Sequence, residues 1–75
     1  MIEIKTGQRW KYIQSLDQEW NIGEIVSVDR SGGYYRISNK SSKCNWTDVG
    51  DKHYIVANDI GNYILLRNQD IPNKL

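Results

Sequence analysis

The sequence predicts an all-β fold, a small antiparallel barrel of five or six strands. Three observations lead there. Ile and Val together number 14, against 5 for Leu and Ala, and stiff β-branched side chains fit a pleated sheet better than a helix. Turn signals recur roughly every ten residues, the spacing of short strands in a small barrel or sandwich. No window carries the apolar period of a helix three turns long.

Each element follows from local pattern. Gly7 opens a first strand over 8–13, with Trp10 and Tyr12 on one face and Arg9 and Lys11 on the other. Residues 15–19 are polar and read as a loop. A second strand covers 20–29, where Ile22, Val26 and Val28 share a face that Glu24 interrupts. Gly23 marks a bend there, and a bulged register lets Ile25 enter the core. The run Asp29-Arg30-Ser31-Gly32-Gly33 is a hairpin turn. Strand three covers 34–38, with Tyr35 and Ile37 inward and Tyr34 and Arg36 outward. After a turn at 39–42, Cys44 and Trp46 alternate with Lys43 and Asn45 as a short strand or extended piece. Residues 47–52 are polar, with room for one tight helical turn. Residues 53–57 form a strand with Tyr54 and Val56 opposite His53 and Ile55. Gly61 turns the chain, 63–66 is the last strand, and 67–75 is an irregular tail in which Pro72 prevents a helix. The expected core is Trp10, Tyr12, Ile22, Ile25, Val28, Tyr35, Ile37, Val56 and Leu65.

Size and composition narrow the functional classes. A chain of 75 residues makes one small domain. Folding at this size buries only about 60–65% of the unfolded surface. Three Trp and five Tyr help, because each buries on the order of 150–250 Å². Self-association is another route to stability, so a homodimer stays open. The net charge of +1 and apolar fraction of 39% exclude a disordered chain and a strongly basic nucleic-acid tail. No apolar run reaches the roughly 18 residues of a membrane span, and no signal peptide opens the chain. One cysteine excludes an internal disulfide framework. A soluble intracellular domain is expected, with no membrane partner.

The order of the pieces resembles small SH3-like (Tudor-like) barrels found in phage and prophage proteins. The likeness runs over residues 7–69. It rests on Gly7-Gln8-Arg9-Trp10-Lys11-Tyr12, on Gly23-Glu24-Ile25-Val26-Ser27-Val28, on Tyr35-Arg36-Ile37 after a glycine turn, and on Tyr63-Ile64-Leu65-Leu66-Arg67-Asn68-Gln69. It implies an SH3-like barrel and the cytoplasm of a bacterium or of a phage-infected host. It implies no activity, since such barrels serve many partners. The stretch 43–57 is longer than that plan needs.

Enzyme chemistry finds little footing. Cys44 and His53 are the single residues of their kinds, and a nucleophile pair would need them in contact with a third, orienting group. Cys44, Asp48, Asp51 and His53 lie within ten residues but match no zinc spacing. Asp48 and Asp51 fit better as caps of turn amides. Gly32-Gly33 has no following helix to hold a phosphate. No enzyme, metal or cofactor is expected.

Binding is the better reading, and two surfaces compete. Residues 1–29 carry three basic and five acidic groups, whereas 30–55 carry five basic and two acidic. In that basic middle, Tyr34, Arg36, Lys40, Lys43 and Trp46 combine cations for phosphates with rings for bases. Near the start of strand two, Asp17, Glu19 and Trp20 make an acidic, aromatic corner suited to a basic peptide. The expectation is a non-enzymatic binding module with a protein partner. Nucleic acid is the alternative, and a self-associating structural subunit the third.

Overall fold

The computed structural model describes residues 3–14, 18–58 and 60–67. Its five strands are β1 (Arg9–Gln14), β2 (Glu19–Val28), β3 (Gly32–Lys40), β4 (Lys52–Val56) and β5 (Tyr63–Leu66). All pairings are antiparallel, in the order β4-β3-β2-β1-β5. The first four strands form a meander, and the last returns beside the first. The fold is therefore all-β and barrel-like, but the sheet is not closed: β4 and β5 are its two edges. Among the described residues no helix is long and apolar enough to cross a membrane.

The register stacks one face of the sheet into a core. Trp10 lies opposite Gly23 and Leu65. Gly23 lies opposite Ile37, Ile25 opposite Tyr35, and Tyr35 opposite His53. Ile4, Trp10, Ile25, Tyr35, Ile37 and Ile55 form the buried cluster, with Ala57, Ile60, Tyr63 and Leu65 packed against it. Ile4 is brought there by Gln8. The Gln8 Oε1 accepts from the Lys5 amide at 2.7 Å and from the Trp10 indole at 3.1 Å, while its Nε2 donates to the Glu3 carbonyl at 2.9 Å.

Two glycines are required by close approach. A Cβ on Gly23 would stand 2.2 Å from the Tyr35 ring, so the ring lies flat on the strand only because no side chain intervenes. A Cβ on Gly32 would stand 1.8 Å from the Ile55 carbonyl oxygen. Gly32 thus lets β4 reach β3 directly after the hairpin. Asp29 fixes that hairpin as expected: its Oδ1 accepts from the Ser31 and Gly32 amides at 2.8 and 3.0 Å.

Several expectations are corrected. Gly7 lies in a turn with φ +95° rather than opening β1. β3 is longer than 34–38, because Gly32 and Gly33 already pair with Val56 and Ile55. Residues 41–51 form no helical turn and no strand, so of the expected five or six strands the sheet has five. Ile25 is buried and an irregularity does fall at Gly23 as expected, but β2 itself alternates inward through Asn21, Gly23 and Ile25. The extra residue at the Ile22–Gly23 shift is Ser38 of β3, and a second shift falls between Ile25 and Ser27, where Val26 is the extra residue. Beyond that second shift Val28 is 46% exposed. On β4 the alternation is right and the face is reversed, with Ile55 buried and Val56 exposed, because Ile55 is the residue opposite Gly33. Tyr12 and Leu65 are half-buried rather than core. Ile4 and Cys44 belong among the buried residues. The tail beyond 67, with Pro72, lies outside the described residues.

Candidate functional site

The inner face ends in aromatic rings rather than aliphatics. Tyr12 packs on Trp46 with centroids 5.7 Å apart, Trp46 on His53 at 5.8 Å, and His53 on Tyr35 at 5.9 Å. Tyr35 packs on Tyr63 at 5.8 Å and Tyr63 back on Tyr12 at 5.0 Å. The five rings close a circuit, each contact tilted or edge-to-face as ring quadrupoles favour. Tyr35 is the buried member and Trp46 the exposed one, at 46%. Burial pushes the Tyr35 phenol far above its ordinary value, so it stays a neutral donor. It donates to Asn21 Oδ1 at 3.2 Å. Asn21 is fully buried, and its Nδ2 finds no partner.

A cleft of about 350 Å³ opens beside this circuit, where the sheet fails to close. Tyr12 and Tyr63 line it from the β1–β5 side, Tyr54 and Val56 from β4, and Gly61 and Asn62 from the turn before β5. The volume is at the small end for ligand pockets, enough for a side chain or a short piece of chain. The Tyr54 hydroxyl at its rim donates to Asp29 Oδ1 at 2.6 Å. That bond is the largest cause holding the Asp29 carboxyl below its ordinary value.

Trp46 reaches the circuit on the loop 41–51, which a set of polar contacts holds. The Lys40 ammonium donates to the carbonyls of Cys44 and Thr47 at 2.9 and 3.0 Å and lies 3.8 Å from Asp48 Oδ1. The buried Thr47 hydroxyl lies 2.6 Å from His53 Nε2 and 3.2 Å from Asp51 Oδ2. Asp51 also accepts from the Asp48 amide at 2.9 Å, as a turn cap should, and this bond leads in holding its carboxyl below the ordinary value. The indole N–H of Trp46 donates to Glu19 Oε1 at 3.3 Å.

The residues singled out from sequence do not form one site. Tyr34 and Arg36 stand on the outer face of β3. Tyr34 packs edge-on against Tyr54 at 4.9 Å, with the Lys52 ammonium 6.0 Å from its ring. Arg36 is exposed and lies in register between Glu24 and Lys52. Lys43 is exposed on the turn at 42–43. Trp46 packs on inner-face rings instead, away from Tyr34. Lys40 is withdrawn from the basic surface by its loop carbonyls. The acidic corner also divides. Glu19 joins Trp46, whereas the Trp20 ring carries the Lys11 ammonium at 5.0 Å. Asp17 lies outside the described residues. Cys44 is fully buried, and His53 bonds to Thr47. Among the described residues no three His, Cys, Asp or Glu side chains gather to hold a metal ion.

Sequence reading missed the partnership of Tyr12, Tyr63 and Trp46. The alternation that placed Tyr12 inward held the only signal for it. Comparison with known families, with curated proteins and with solved structures finds no match to this chain.

Proposed function

We propose that this protein is a non-enzymatic binding module that grips a protein segment at the open seam of its sheet. The observation that carries the reading is the exposed Trp46, seated on Tyr12 beside the cleft with Glu19 at its indole nitrogen. A half-exposed tryptophan backed by Tyr12 and His53 is the kind of anchor that dominates protein contacts. The carboxylate beside it favours a partner that presents a basic side chain. The resemblance to small SH3-like barrels is in keeping with such a role, in a bacterial or phage-infected cytoplasm.

Nucleic acid is the second reading, and Tyr34, Arg36, Lys43 and Lys52 support it. It is the weaker one, because Lys40 is occupied and Tyr34 already packs on Tyr54. Paired variants separate the two. Trp46→Ala should abolish binding of basic peptides, while Arg36→Glu with Lys43→Glu should leave it nearly unchanged. Retained oligonucleotide binding in the first variant and its loss in the second would favour nucleic acid.

A further inference from the structure

The hydrogen-bond parity of β4 shows which of its backbone groups face the cleft. In an antiparallel ladder, residues alternate between those bonded to the neighbouring strand and those turned from it. Two contacts fix the phase here. The Ala57 amide donates to the Ser31 carbonyl at 2.7 Å, and the Ile37 amide donates to the Asp51 carbonyl at 2.8 Å. Residues 51, 53, 55 and 57 therefore face β3. Lys52, Tyr54 and Val56 turn their amides and carbonyls to the free edge. Among the described residues none of these groups joins a turn, loop or cap hydrogen bond. The close packing of Tyr34 on Tyr54 agrees, since side chains approach most closely at non-hydrogen-bonded pairs.

This edge borders the aromatic cleft, which Tyr54 and Val56 help to line. An unpaired edge is a template for another strand. Here nothing within 52–56 blunts it except the charge of Lys52: there is no proline and no bulge. An acidic group stands at its rim, Asp29 at the Tyr54 hydroxyl, and a second, Glu19, holds the indole of Trp46, which packs on the cleft residue Tyr12.

We infer that the segment held at the seam is an extended peptide with a basic side chain, added as a strand to the free edge of β4. This rests on the binding reading above and states its mode. Main-chain bonds to Tyr54 and Val56 supply affinity, and the cleft, with Asp29 at its rim, selects the side chain.

The test uses the full chain, isotope-labelled, and a capped seven-residue peptide alternating threonine and valine around a central lysine. Amide hydrogen exchange is read residue by residue at millimolar peptide. The expected result is an alternating pattern, with slowed exchange at Tyr54 and Val56 and little change at His53 and Ile55, already bonded to β3. A peptide with glutamate at its centre should bind at least several-fold more weakly. Val56→Pro removes one edge donor at a position where proline is tolerated, and should weaken the lysine peptide about fivefold. Shifts at Trp46 and Tyr12 without slowed exchange at Tyr54 and Val56 would overturn the inference and leave the binding reading standing. No response anywhere to either peptide would overturn both.

Discussion

The Lys40 ammonium donates to the Cys44 carbonyl at 2.9 Å, four residues further along the chain. A second bond, to the Thr47 carbonyl, closes the loop 41–51 around one cation. Lys40→Met keeps the aliphatic stem and removes both bonds. Bonds to charged groups contribute about 1.5–3 kcal/mol each, and water can replace part of that here. Urea denaturation should show a loss of about 2 kcal/mol, and the Trp46 indole resonance should move as its loop relaxes. Unchanged stability would mean that the loop holds without its cation.

The bond from Tyr35 to Asn21 is a buried polar contact of the core. Tyr35→Phe leaves Asn21 with both amide atoms unsatisfied, at a cost of about 1–3 kcal/mol. Adding Asn21→Val removes the stranded amide, so the double variant should recover much of that loss. A double-mutant cycle measures the coupling. Strict additivity would show that the two side chains do not depend on one another.

Gly32→Ala tests the close approach of β4. The added carbon would stand 1.8 Å from a backbone oxygen, which cannot rotate away. The hairpin must shift, and the penalty should be at or above the 1–3 kcal/mol typical of overpacking. Gly61→Ala, where a new Cβ meets nothing within 4 Å, should be far milder. Equal effects at the two positions would contradict the packing described.

Asp29 gives a pH-dependent prediction. Its carboxyl is held low, first by the Tyr54 hydroxyl and then by the Ser31 amide. A carboxyl that titrates lower when folded adds stability that is complete above the unfolded value of about 3.9. That stability is lost as pH falls through the folded value. Tyr54→Phe removes the leading cause, so the Asp29 midpoint should rise toward the ordinary value in an NMR titration. An unmoved midpoint would show that the backbone amides hold it alone.

How much of this was legible in the sequence depended on contrast. Trp10 and Tyr12 against Arg9 and Lys11 differ sharply in polarity, and so do Tyr35 and Ile37 against Arg36, so β1 and β3 were placed face-correctly. His53, Tyr54, Ile55 and Val56 offer one aliphatic to each face, and the register with Gly33 decided between them. On β2 the inward run Asn21, Gly23 and Ile25 holds a single apolar side chain, whereas Ile22, Val26 and Val28 alternate with it, which hid the inward face. The aromatic and basic residues of 34–46 looked like one patch along the chain. The sheet sends Tyr34 outward and Trp46 inward, and the capture of Lys40 by carbonyls up to seven residues away leaves no trace in composition.

A two-dimensional NMR titration of the labelled protein tests the central claim most directly. One arm adds the lysine-centred peptide, and the other adds mixed single- and double-stranded oligonucleotides at low salt. The account predicts shifts at Tyr12, Trp46 and Tyr63 with the peptide that weaken with added salt but persist, since salt screens the lysine contact and leaves the ring contacts. Shifts only with oligonucleotide, at Tyr34, Arg36, Lys43 and Lys52, and erased by salt as counterion release requires, would contradict it and make the outer face of β3 and β4 the binding surface.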